Sequence, residues 1–119
     1  MIVFIFMDKS KKLIVKYKVF YDTLRNTKCS ALNNEEIHFN NNGFNHLVRK
    51  GRFPRSYDEQ RRRFLLLKFV EEVIIKGQVT EKRHFGSVSC FWAIKFKKIT
   101  VIIRQIGDGP KHFFSIFSK

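Results

Sequence analysis

Hydrophobic spacing divides the chain into a helical first part and a strand-rich last part. Over 10–26, Leu13, Tyr17, Phe20 or Tyr21, and Leu24 recur in steps of three to four, with Lys11, Lys12, Lys16 and Lys18 off the stripe. That spacing predicts an amphipathic helix. The polar stretch Asn26–Asn34 reads as a loop, Glu36–Phe39 as a short strand and Asn40–Gly43 as a turn. Phe44, Leu47 and Val48 space as a short helix ending near Gly51, and Arg52–Arg55, which contains Pro54, reads as a loop. Ser56 opens the clearest helix, expected over 57–76. Ser56 and Glu59 fit a capping box, in which hydroxyl and carboxylate each satisfy a free backbone N–H. Phe64, Leu67, Val70 and Ile74 form its buried stripe, and Gly77 is placed to end it.

After Gly77 the period changes to two. Four strands are expected, at 79–85, 88–96, 99–106 and 111–117, with turns at Lys97-Lys98 and Gly107–Pro110. Short connections between consecutive strands imply an antiparallel meander. Helices followed by such a sheet make an α+β fold, with the N-terminal helices packed on a four-stranded antiparallel sheet. At 119 residues one domain is expected. It comprises a leading segment and helix over 1–35 and a core over 36–119. The apolar run Met1–Met7 is too short to span a membrane and lacks the basic start of a signal peptide; a strand or packed segment is expected there.

Composition adds a partner class. Lys and Arg number 24 against 10 Asp and Glu, a net charge of +14, yet 44% of the chain is hydrophobic. This is a compact body with a cationic surface, not a disordered basic tail. A polyanion is the expected partner, nucleic acid before an anionic membrane or an acidic protein. Two cysteines, Cys29 and Cys90, make no disulfide framework and no zinc spacing, which suits reduced thiols in a cytoplasmic protein.

The charge is uneven. Arg49, Lys50, Arg52, Arg55, Arg61, Arg62 and Arg63 stand against only Asp58 and Glu59, and the stretch from Lys82 to Lys119 holds one acid, Asp108. A basic loop entering a basic helix is a candidate groove for a phosphodiester backbone, and these seven cations are the candidate RNA-binding residues. Its plain alternative is a solvated basic face. The acids are dispersed, so the clustered carboxylates that hold magnesium are missing; no metal ligands and no cofactor are expected. Metal-free chemistry from His, Lys, Arg and Ser remains. RNA supplies its own 2′-hydroxyl nucleophile, and cleavage then needs a base, an acid and cations for the charge growing on the phosphate.

Four histidines are available: His38 before the Asn turn, His46 on the short helix, His84 in an edge strand and His112 at the start of the last strand. Arg104 is the odd cation in the β-branched strand Val101–Ile103. If the 107–110 turn pairs Ile106 with Lys111, then Arg104 faces Phe113 and Ile102 faces Ser115. Arg104, Lys111 and Ser115 then share one side of the sheet, and His112 points to the other.

The run Ile37-His38-Phe39, Gly43-Phe44-Asn45-His46-Leu47, Lys50-Gly51 and Gln60–Phe64, followed by Ile99–Arg104 and Lys111–Ile116, resembles the phage and polymorphic-toxin nucleases of the barnase–EndoU–colicin–RelE-like superfamily. The likeness covers about 36–117. It implies helices packed on a four-stranded antiparallel sheet and metal-independent RNA cleavage, often of tRNA, leaving a 2′,3′-cyclic phosphate. It also implies a toxin acting in the cytoplasm, its own or a target cell's, with an acidic immunity protein or antitoxin as partner. By matching position it carries over His46, Arg104 and Ser115 as catalytic residues, with Lys111 or His112 as further members. A different reading of the same charge is a non-catalytic RNA- or DNA-binding domain, for which aromatics such as Phe113 or Trp92 exposed on the sheet would serve as a stacking platform. A third is an interaction module for an acidic protein.

Overall fold

A computed structural model of the chain describes residues 8–118. The strand or packed segment expected at Met1–Met7 lies outside the described residues. Helix α1 (Lys9–Tyr21) begins at Asp8, whose carboxylate accepts the Lys11 N–H at 2.8 Å. It stops short of the expected 26, because Thr23 and Leu24 turn their N–H groups to the Phe20 and Tyr21 carbonyls. A small antiparallel hairpin follows, β1 (Thr27–Cys29) and β2 (Glu35–Ile37), and then α2 (Asn41–Val48). The expected Asn turn is the first turn of α2: the Asn40 side chain caps it by accepting the Gly43 N–H at 3.2 Å.

The loop expected at 52–55 is partly a tight two-stranded ribbon, β3 (Arg49–Lys50) and β4 (Phe53–Pro54), turning at Gly51. The single helix expected over 57–76 is two, α3 (Tyr57–Leu66) and α4 (Val70–Lys76), joined by a 3₁₀ turn (Leu67–Phe69). Its buried positions explain the break. Phe64, Leu67, Val70 and Val73 are all buried and step strictly by three. A helix of about 3.6 residues per turn would rotate each such step about 60° off the core. Tightening to three residues per turn keeps Leu67 and Val70 on it.

Four strands then run as a meander: β5 (Gln78–Phe85), β6 (Ser89–Phe96), β7 (Ile99–Ile106) and β8 (His112–Ser118), paired in that order and all antiparallel. The protein is thus mixed α+β with a four-stranded antiparallel sheet. The core lies between one face of this sheet (Trp92, Ile94, Val101, Ile103, Phe113, Ile116) and the helical residues Phe44, Leu47, Phe64, Leu67, Val70 and Ile74. Alternation is visible in β7, where Val101 and Ile103 are buried and Ile102 and Arg104 half-buried on the opposite face. Trp92 and Phe113, the two residues considered for an exposed platform, are both in the core.

The register between β7 and β8 differs from expectation. Ile102 does pair with Ser115, but a bulge follows, so Ile103 pairs with Phe113 and Arg104 with His112. Phe114 is the extra residue. One residue reverses the alternation, and so His112, not Phe113, takes the position opposite Arg104, and Lys111 leaves the face that Arg104 occupies.

Two glycines are required by close approach. A Cβ on Gly77 would meet the Val73 carbonyl oxygen at 2.5 Å and Ile94 at 2.7 Å, where α4 enters β5. A Cβ on Gly43 would collide with the Phe113 carbonyl and with the Tyr21 hydroxyl. Gly43→Ala is expected to destabilise the protein by about 1–2 kcal/mol, overpacking outweighing the gain in helix propensity. Urea denaturation checks it; an unchanged midpoint would show that α2 can shift away from β8.

Candidate functional site

His46 stands in the last turn of α2, whose other face is fixed in the core by Phe44 and Leu47. Its ring is half-buried and stacks on Phe114, centroids 4.1 Å apart. Arg55, at the exit of the β3–β4 ribbon, donates from Nε to the His46 carbonyl at 2.9 Å and places Nη2 3.2 Å from His46 Nε2. Arginine only donates, so Nε2 carries the lone pair and Nδ1 the proton. Burial is the first cause holding His46 at about 4, with Arg55, Arg63, Arg104 and Lys50 adding to it. The imidazole is therefore neutral at pH 7 inside a cationic surround.

Arg63 on α3 reaches across to β8, donating from Nη1 to Ser115 Oγ at 2.7 Å and to the Ile116 carbonyl at 3.2 Å. Glu59, one turn earlier, organises the guanidiniums. Its carboxylate accepts from Arg63 Nε at 3.0 Å and lies 3.9 Å from Arg55 and 3.3 Å from Arg62. The expected capping box is therefore half formed: Ser56 Oγ accepts the Glu59 N–H at 3.2 Å, while the Glu59 carboxylate serves the arginines. Gln60 is buried and ties the ribbon to α3 through the Val48 and Arg55 carbonyls.

These groups open on one cleft of about 230 Å³, lined by His46, Lys50, Arg55, Arg63, Phe114 and Ser115 among others. Five residues singled out from the sequence meet there: His46, Lys50, Arg55, Arg63 and Ser115. Arg104 stands beside it, its guanidinium 5.3 Å from the Phe114 ring centre and 5.6 Å from that of Phe91, with Nε buried and without a hydrogen-bond partner among the described residues. His112 is buried opposite Arg104, and its Nε2 also has no partner among the described residues. Burial and then Arg104 hold its pKa below the usual histidine range, against a weaker upward pull from the Pro110 carbonyl.

The remaining candidates lie elsewhere. Lys111 does not share a face with Arg104. It is buried on the helical side of the sheet, paired with Glu35 at 2.6 Å and lying 4.9 Å from the Trp92 ring centre. The bulge is the cause, since it moves Lys111 and Phe113 together to the core side. Arg49, Arg52, Arg61 and Arg62 are exposed and do not line the cleft. Arg49 is held by the Arg52 carbonyl at 2.7 Å, and Arg52 lies over Phe53. Of the other histidines, His38 bridges to His112 through the backbone and His84 is exposed on β5.

Sequence reasoning missed Phe114, which lines the cleft, and Phe91, which lies under Arg104 beside it. Phe114 looked like one more core residue of an alternating strand, and only the bulge turns it to the cleft. Among the described residues no three His, Cys, Asp or Glu side chains converge, and no helix is long and apolar enough to cross a membrane. Cys29 is buried and Cys90 half-buried, both as free thiols. Comparison of the chain with protein-family models, with curated proteins and with solved structures finds no match.

Proposed function

We propose that the protein is a metal-independent endoribonuclease and that the cleft between α2, α3 and β8 is its active site. One observation carries this reading: a neutral imidazole with its lone pair on Nε2 sits among Lys50, Arg55, Arg63 and Arg104 in an open cleft. Arg55 and Arg63 are matched to phosphate by their planar forks. When a phosphodiester enters, Arg55 exchanges His46 for a phosphate oxygen and frees Nε2. His46 then takes the 2′-hydroxyl proton, and the 2′-oxygen attacks phosphorus. The 5′-oxygen leaves with a proton from Lys50 or solvent, giving a 2′,3′-cyclic phosphate and a 5′-hydroxyl. Arg63, Arg104 and the Ser115 hydroxyl hold the charge that grows on the phosphate oxygens. Lys111, expected as a further catalytic member, has no part in this geometry, since it is buried against Glu35 on the other face of the sheet. An acidic antitoxin or immunity protein would be drawn to the same cationic surface.

The test is cleavage of total tRNA in EDTA, with end-group analysis of the products. Cleavage to cyclic phosphate ends is expected for the wild type, and a loss of about 100-fold for Arg104→Ala. Activity abolished by EDTA would replace this proposal with a metal enzyme.

The pH profile gives a second check. The base must be unprotonated, so kcat/KM, which reports the free protein, should fall as pH drops through about 4, where burial and the guanidiniums hold His46. Bound phosphate offsets those cations and favours the charged ring, so the acid limb of kcat should lie at higher pH. A kcat/KM limb at the ordinary histidine value of about 6.5 would exclude His46 as the base.

A second reading is favoured by one contact. Arg55 already occupies the His46 lone pair. If Arg55 does not move, the cleft binds RNA with a steep salt dependence and forms no product.

A further inference from the structure

The sheet face turned away from the helical core carries a row of aromatic rings that ends at His46 and whose three phenylalanines the cleavage step does not use. Phe85, Phe91, Phe114 and His46 follow one another across β5, β6, β8 and α2, with centroid separations of 5.1, 5.3 and 4.1 Å. The first two pairs meet edge to face, at 81° each. Arginines interleave with the rings. Arg83 pairs with Phe91 across β5 and β6, and Phe91 pairs with Arg104 across β6 and β7. Arg104 lies over both Phe91 and Phe114.

A second cavity of about 430 Å³ runs along this row, lined by Arg83, Phe85, Phe91, Ile102 and Phe114 among others. It shares Ile102 and Phe114 with the cationic cleft, so the trough it forms adjoins the cleft at these side chains. Phe85 is 56% exposed at its far end. Its acidic lining residue, Glu81, is neutralised by Arg83 at 2.6 Å.

We infer that this trough is a base-stacking track, and that the substrate it selects is single-stranded RNA with at least one unstacked base beside the scissile phosphate. The inference rests on the reading of the cationic cleft as an RNA phosphate site. Three features support it. Rings separated by a few ångströms on an open sheet face offer flat surfaces that any base can stack on. Arginines among the rings add cation–π attraction and pair with phosphates. The track leads directly to His46, so a base stacked on Phe91 directs its own backbone toward Arg104 and Arg63. A duplex keeps its bases stacked on each other and presents only phosphates and sugars.

The experiment uses a fluorescein-labelled 2′-O-methyl RNA of mixed sequence, which cannot be cleaved, as a single strand and as a blunt duplex. Anisotropy titrations follow the wild type, Phe85→Ala, Phe91→Leu and Arg63→Ala over a range of salt. The single strand should bind about 10-fold or more tightly than the duplex. Phe85→Ala and Phe91→Leu should each weaken single-strand binding about 5- to 100-fold and leave the salt slope unchanged. Arg63→Ala should reduce the slope by about one contact. Phe85 is exposed enough that its removal opens no core, which keeps the result readable if Phe91→Leu folds poorly. Equal affinity for strand and duplex, or wild-type binding by Phe85→Ala, would overturn the track even if tRNA is cleaved. Stacking-dependent binding without cleavage of tRNA would uphold the track and overturn the nuclease.

Discussion

His46→Ala is expected to lose about 10²- to 10⁴-fold in tRNA cleavage, the range associated with a positioned general base, while keeping its fold. The side chain sits half-buried at the cleft wall, against Phe114 and Arg55, and the core contacts of α2 are made by Phe44 and Leu47. His46→Gln separates chemistry from packing. Glutamine can still accept from Arg55 through its side-chain oxygen, but it cannot take up a proton at neutral pH. Both variants should therefore fall by similar factors, with unchanged circular dichroism. If His46→Gln retained more than about a third of wild-type activity, the imidazole would be a prop for Arg55 and the base would have to be sought elsewhere. His112, the other depressed histidine beside Arg104, is then the next group to replace.

Phe64→Ala is expected to cost about 3–5 kcal/mol, a large part of the roughly 5–15 kcal/mol that holds a domain of this size folded. Phe64 is fully buried and lies between two rings, Tyr17 at 4.9 Å and 10° and Phe44 at 5.5 Å and 19°. It is the point where α1, α2 and α3 meet, so truncation leaves a hole bordered by three helices that are each tied to other partners. Thermal unfolding should show a drop of about 10–25 °C. Arg63 is its neighbour in sequence, so RNA cleavage should fail at a temperature where the wild type is active. A destabilisation below about 1 kcal/mol would mean that the helices close over the gap.

The four meander strands were readable from the sequence to within about a residue, because β-branched and aromatic runs are set off by turns that carry Gly, Asp and Lys-Lys. Helix α2 was readable from Phe44 and Leu47. The interruption of the 57–76 helix was less visible: steps of three and of four both look helical in a one-dimensional pattern, and only burial of Phe64, Leu67, Val70 and Val73 together requires the tighter turn. The site was legible in part. His46, Lys50, Arg55, Arg63 and Ser115 share a cleft, and each could be named from its charge or chemistry. Which cation stands with Arg104 could not be decided, since that depends on a bulge of one residue in β8. Glu35, the partner of Lys111, is 76 residues away in sequence. A pairing of that kind leaves no periodic trace in either segment.

The cleft is split along the chain. His46, Arg55 and Arg63 come from the segments before the sheet, whereas Arg104, Phe114 and Ser115 come from the last two strands. During synthesis those earlier segments leave the ribosome well before β8 can form. Until then Arg63 has no Ser115 to reach, His46 has no ring to stack on, and Gly43 has no β8 backbone to pack against. A growing chain therefore holds scattered arginines but no assembled cleft; if the proposed ribonuclease activity holds, the machinery making it, itself built on RNA, meets the finished site only once the last strand has docked.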